Sequence, residues 1–265
     1  MIPAIGVVGF GRMAQALLQP LLDQQLLDPA AVRAVVGSEQ SARQLSERFH
    51  LCVSTDPSSA WQQPLVLLAV KPQQLDAVAA TAPAGAGQGA LLISVLAGVP
   101  LARLERCFPG WCCVRAVPNT PCLVRQGLSG LAFGGGLSPE QKALVHELFA
   151  RVGEVFELPE AQLDAFLALS SSGPAYAALI SEALADGAVA AGLPRALAQH
   201  LAQRMLAGSM ALLQEQQLHP AQLKDMVASP AGTTMAGLRQ LERSGLRTAL
   251  IEAVLAAAER SRQLA

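Results

Sequence analysis

The chain has 265 residues and a net charge of -1, and charged residues make up 15% of it, against about 25% in an ordinary soluble domain. Its 19 basic residues, three of them lysines (Lys71, Lys142, Lys224), are scattered, which excludes a nucleic-acid-binding stripe and gives no reason to expect a polyanion partner. A chain this long buries roughly three quarters of its unfolded surface, enough for two domains, and the 52% hydrophobic fraction points to further apolar surface in a subunit interface.

The predicted elements alternate from the start. Strand candidates are AIGVVG at 4–9, AVRAVVG at 31–37, LVLLAV at 65–70, ALLISVL at 90–96, CCVRAV at 112–117, LSGLAF at 128–133 and EVFEL at 154–158. Helical patterns lie between most of them: MAQALLQPLL, SARQLSERF, QQLDAVAATA, PLARLERCF and PEQKALVHELFARV. That rhythm predicts a doubly wound α/β domain of the Rossmann type over residues 1–158. The apolar runs are too short to span a bilayer and suit buried strands, and no basic flank precedes the first of them, so neither a membrane segment nor a signal peptide is expected.

From about Glu160 the strand signals stop, and residues 159–265 read as an all-α domain punctuated at SSSGPA, GLP, HP and SPAG. The run AYAALISEALADGAVAAG is apolar around nearly its whole circumference, with Glu182 and Asp186 as its charges. Such a helix needs cover on all sides. A second copy of the chain is the simplest source, so a homodimer, or a higher oligomer built of dimers, is expected. The five cysteines (52, 107, 112, 113 and 122) are odd in number and lack framework or metal-finger spacing. They read as buried thiols in a reducing compartment, by default the cytoplasm, with no metal.

The first strand candidate runs into GFGRMA, a G-x-G-x-x-A dinucleotide fingerprint formed by Gly9, Gly11 and Ala14 with Arg12 and Met13 between them. Gly9 allows the tight turn, Gly11 the close approach of a pyrophosphate, and Ala14 the packing of helix on sheet. At the tip of the second strand, where an acid would bind the ribose hydroxyls, stand Gly37 and Ser38. Their presence favours NADPH, with Arg12 or Arg43 as a charge partner; Glu39, one residue on, keeps NADH as the alternative. Ala69 and Val70 end the LVLLAV run and Lys71 and Pro72 follow it, at the edge where ligands bind in such sheets, and they complete the expected cofactor cleft with Pro118 and Asn119. A solvated strand-end lysine is an equally simple account of Lys71.

The segment DMVASPAGTTMAGL at 225–238 looks like an anion cradle without a positively charged side chain. Ser229, Pro230, Ala231 and Gly232 make a turn, Thr233 and Thr234 open a helix, and the unpaired amides there are suited to a carboxylate or phosphate. An ordinary helix cap with no ligand is the competing account of the hexapeptide alone.

SSSGPAY at 170–176, LKDMVASPAGTTMAGL at 223–238 and VPNTP at 117–121, together with the fingerprint, AVKPQ and the C-terminal tail, resemble the pyrroline-5-carboxylate reductase family over nearly the whole chain. The resemblance implies NAD(P)H-dependent reduction of a cyclic imino acid to L-proline, and an all-α domain interleaved with that of a second subunit. It also implies that Ser229, Gly232, Thr233 and Thr234 hold the substrate carboxylate, with the Thr234 hydroxyl near the ring nitrogen as the catalytic group, and that the loop at 118–121 borders the nicotinamide. The chain departs from the family pattern at Val117, at Ser171 and Ala231, where glycine is common, and near Asp56. Ala231 would be strained by roughly 1 kcal/mol if its φ were positive.

The chemistry asks for little. An iminium ion already carries its proton, so no acid is needed beside it, and the histidines at 50, 146, 200 and 219 lie away from the motifs. Orientation alone can lower the barrier by about 7 to 11 kcal/mol. Two other readings remain open at this point. A reductase of related architecture would act on another cyclic imine or on a β-hydroxy acid, the latter needing a lysine near substrate, for which Lys224 is the candidate, and a non-catalytic cofactor-binding regulator would need no such group.

Overall fold

The computed structural model describes residues 3–83 and 89–264. By contact density it divides into two units, 1–172 with 256–265, and 173–255.

The first unit contains β1 (Ile5–Val8), α1 (Arg12–Asp23), β2 (Val32–Val35), α2 (Glu39–Phe49), β3 (Cys52–Ser54), α3 (Ser58–Trp61), β4 (Leu65–Leu68), α4 (Leu75–Ala79), β5 (Leu91–Ser94), α5 (Leu101–Cys107) and β6 (Cys112–Val117). It continues through β7 (Gly127–Phe133), α6 (Pro139–Ala150), β8 (Gly153–Glu157) and α7 (Leu163–Ser170). The strands form one sheet in the order β3-β2-β1-β4-β5-β6-β7-β8. Strands β1 to β6 are parallel, β7 pairs antiparallel with β6 (Val117 opposite Gly130), and β8 runs parallel to β7. The sheet is therefore mixed where a parallel one was expected. It also holds eight strands where seven were expected, because β3 has only three residues and no apolar alternation to announce it.

Side chains leave a strand alternately on its two faces, and the core follows that period. Ile5, Val7, Leu65, Leu67, Leu91, Ile93, Val114 and Ala116 join Leu17, Leu18, Leu21 and Phe149 in one apolar layer. Val8, Val66, Leu68, Leu92, Cys113 and Val117 join Trp61, Leu75, Leu104, Phe108 and Leu163 in the other. Strands covered on both faces read as continuous apolar runs, as LVLLAV does. Gly6 permits one close contact in this packing: a Cβ there would lie 2.0 Å from the Ala60 carbonyl oxygen.

Polar contacts bind the end of the chain to the same unit. Arg115 of β6, 3% exposed, donates to Glu160 at 3.4 Å and to Asp164 at 2.8 Å, and Ser261 donates to the same Asp164 oxygen at 2.8 Å. Gly98 (φ +75°) lies where a Cβ would meet the Ser261 carbonyl at 2.7 Å. Helix α7 packs on β6 and β7, so contact density divides the chain later than the change from strands to helices at 158.

The second unit contains α8 (Gly173–Ala190), α9 (Arg195–Glu215), α10 (Pro220–Val227), α11 (Thr233–Arg243) and most of α12 (Leu246–Arg262). Helices α8 and α9 meet through Ala185, Ala198 and Ala202, with Ala188 and Val189 alongside. These small side chains are the unit's buried core among the described residues. Leu179, Met205, Met210, Met226, Ile251 and Leu255 are all exposed. The helix expected to be covered on every side is thus covered on only one side in a single chain. By length and composition alone, Glu160–Ala190 is apolar enough to cross a membrane, contrary to the sequence expectation, although the break at Ser171 and Ser172 divides it and α8 carries Glu182 and Asp186.

Candidate functional site

Because β1, β2, β4, β5 and β6 are parallel, their carboxyl ends share one edge of the sheet. That edge gathers Gly9, Gly11, Arg12 and Met13, Ser38, Ala69 to Pro72, and Pro118 with Asn119. Gly9 has φ +90°, and a Cβ there would fall 2.7 Å from Val70 Cγ1 and 2.8 Å from the Ala69 backbone. No such obstruction surrounds Gly11: nothing lies within 4 Å of where its Cβ would be. Gly11 is the N-cap of α1 and has no side chain to cap it. Among the described residues, the amides of Arg12, Met13 and Ala14 have no acceptor, and the space beside Gly11 is free. This is a fit for a pyrophosphate, and Arg12 is exposed beside it.

At the tip of β2 the Ser38 hydroxyl is already at work. It caps α2 by accepting from the Ser41 amide at 3.2 Å, and it donates to the Ser41 hydroxyl at 2.9 Å. Glu39 is turned aside, its carboxylate accepting from the Thr55 hydroxyl at 2.5 Å. Asp56 accepts from the amide and hydroxyl of Ser58, at 3.0 and 2.7 Å, and these bonds, the amide first, hold its carboxyl below the usual range. Lys71 is exposed, with its amide donating to Gln74.

Pro118 and Asn119 are buried. The Asn119 side chain donates to the Ser170 carbonyl at 2.9 Å and accepts from the Leu128 amide at 2.8 Å, so its amide group is engaged within the protein at both ends. Ser171 donates to the Pro118 carbonyl at 2.9 Å. The contacts of Asn119 with Ser170 and of Ser171 with Pro118 could not be read from the sequence, since these residues stand more than fifty positions apart.

In the second unit, Ser229 to Gly232 form the expected turn, closed by a 3.0 Å bond from the Gly232 amide to the Ser229 carbonyl. Proline in its second place and a positive φ of 57° at Ala231 in its third are the marks of a type II turn, whose third place favours glycine. The methyl group there carries the strain that a positive φ imposes, roughly 1 kcal/mol. Gly232 is the N-cap of α11, and a Cβ on it would strike Ser229 Oγ at 2.4 Å. Among the described residues, the amides of Thr233, Thr234 and Met235 have no acceptor, and neither threonine hydroxyl has a partner. Ser229 and Thr233 are exposed and Thr234 is half-buried.

Three histidines have structural occupations: His50 is the left-handed C-cap of α2, His146 faces Glu157 at 3.4 Å, and His219 caps α10 through its ring. Two thiols, Cys113 and Cys122, are buried as expected, but Cys52 is exposed and Cys107 and Cys112 are half-buried. Burial first, then the neighbouring Glu105, pushes the Cys113 thiol up to about 12, so it stays protonated and is no nucleophile.

Residues 160–264 match the family model described as pyrroline-5-carboxylate reductase dimerisation, and residues 4–98 match that of NADP oxidoreductase, coenzyme F420-dependent. The chain is 45% identical over 263 residues to a pyrroline-5-carboxylate reductase of Synechocystis, covering 98% of this chain and 97% of that one. It is 38% identical over 261 residues to the Arabidopsis thaliana reductase, covering 98% and 95%. Among solved structures, Plasmodium falciparum pyrroline carboxylate reductase with NADP bound superposes with a TM-score of 0.91 at 27% identity, covering 99% of this chain and 98% of that one. The Coxiella burnetii pyrroline-5-carboxylate reductase superposes at 0.87 with 31% identity, covering 100% and 99%.

Proposed function

The chain belongs to the pyrroline-5-carboxylate reductase family, and we infer that it works as those enzymes do: it reduces the carbon-nitrogen double bond of 1-pyrroline-5-carboxylate, giving L-proline. The nicotinamide cofactor, when bound, supplies the hydride, and the hydride adds to the ring carbon while the nitrogen keeps its proton. What remains for the chain is to grip and aim. The amides of Arg12 and Met13 with the open face of Gly11 hold the pyrophosphate, and Ala69 to Pro72 with the Pro118–Asn119 loop line the cleft. The absence of an acid at Gly37 and the diversion of Glu39 onto Thr55 support NADPH over NADH.

The amides of Thr233, Thr234 and Met235 take the substrate carboxylate, assisted by the hydroxyls of Ser229 and Thr233. A hydrogen bond to a charged group contributes roughly 1.5 to 3 kcal/mol and the helix start up to about 2, so no arginine is required. The unpartnered, half-buried Thr234 hydroxyl bonds the ring nitrogen and orients the ring. Lys224 is exposed and has no partner among the described residues, and nothing else favours the hydroxy-acid reading. The match to a dimerisation model and the bare faces of α8 and α9 support a homo-oligomer, which we take to be a dimer or an assembly of dimers, working in the cytoplasm.

The single observation that carries the substrate assignment is the unpaired start of α11 behind the turn at Ser229 to Gly232. Thr234→Ala should lower turnover at least about tenfold, the loss of one oriented hydrogen bond of about 1.4 kcal/mol, with NADPH affinity retained. Equal turnover in variant and parent, followed at 340 nm with the imine, would discard the role.

A further inference from the structure

We propose that Ser171 and Asn119 form a clamp that positions the start of the loop at 118–121, making both of them positioning residues for hydride transfer; the inference rests on the reading that this loop borders the nicotinamide. Helix α7 ends at Ser170, where the last carbonyls of a helix have no partner within it. The Leu167 carbonyl is taken by the amides of Ser171 and Ser172. The Ser170 carbonyl is taken by the Asn119 side chain, whose oxygen accepts in turn from the amide of Leu128, the second residue of β7. In the opposite sense, Ser171 reaches back to the Pro118 carbonyl.

Two bonds running in opposite directions thus tie one helix end to two successive residues of the loop. Asn119 is 4% exposed, so water has little access to replace its bonds, and an unpaired buried amide is costly. Ser170 is fixed as well, its hydroxyl donating to the Phe166 carbonyl at 2.7 Å. The loop can therefore shift only if the end of α7 shifts with it. Glycine at 171, common in the resembling family, has no hydroxyl with which to make the Pro118 bond, so half of the clamp belongs to this chain.

The test compares two halves of the cofactor in the full-length enzyme. Ser171→Ala is expected to lower kcat about tenfold, since small misplacements of reacting groups are costly. It should also raise the primary deuterium isotope effect on kcat with 4-deuterated NADPH, as hydride transfer becomes more nearly rate-limiting. The affinity for adenosine 2',5'-bisphosphate, which lacks the nicotinamide, should stay unchanged, and Ser171→Thr should restore kcat. Asn119→Ala should give the same pattern more strongly; if it does not fold, Ser171→Ala decides alone. Unchanged kcat in Ser171→Ala, or a parallel fall in kcat and in bisphosphate affinity, overturns the clamp. A parent enzyme that fails to oxidise NADPH with the imine overturns the proposed function instead.

Discussion

The nucleotide-binding unit and the helical unit solve the problem of cover in different ways. In the first, both faces of an eight-stranded sheet are sealed by helices of the same chain, and Trp61, Phe108 and Phe149 are fully buried. In the second, three alanines make the core while leucines and methionines stand in the open. At about 25 cal/mol per Å² of apolar surface, alanine contacts cannot offset the entropy of ordering 83 residues (173–255). Local pattern suffices for a unit that closes on itself, whereas a unit that needs a second copy leaves its largest apolar side chains unexplained within one chain.

The strongest way to break this comparison is to charge the bare face. Leu179 is 65% exposed, and Leu179→Asp would bury a carboxylate in each copy at about 2 kcal/mol or more apiece, weakening association roughly a thousandfold. Light scattering over a dilution series checks it, and an undisturbed oligomer would mean that another face is covered. A smaller loss is expected from Gly6→Ala, which forces a methyl group into the Ala60 carbonyl and should destabilise by about 3 kcal/mol. Because that unit closes on its own core, its urea midpoint should fall by the same amount at every protein concentration; a concentration-dependent loss would blur the distinction. The smallest effect is a gain. Ala231→Gly relieves the positive φ but frees the unfolded chain, so a net stabilisation of about 0.5 kcal/mol or less is expected, read as a small rise in thermal midpoint, and a clear fall would contradict the strained turn.

Legibility followed the range of the interaction. The fingerprint at Gly9 to Ala14 and the turn at Ser229 to Thr234 could be read because each is a local device: a few residues fix the backbone, and the backbone presents the amides. Strand β3 escaped because three residues, CVS, carry no period. The antiparallel turn of β7 escaped because a strand's pattern is the same in either direction. The burial of Arg115 in CCVRAV follows from Glu160 and Asp164, which lie more than forty positions away.

By itself, then, the sequence determined the alternating elements, the helix starts with their free amides and the surplus of apolar side chains, since all of these follow from covalent geometry and side-chain period over a few turns. Only the tertiary structure decided the sign of φ at Ala231, the diversion of Glu39 onto Thr55, the clamp between Asn119, Ser170 and Ser171 with Pro118, and the return of Ser261 to Asp164. Each of these depends on where distant backbone is brought by packing, and no local pattern carries that distance.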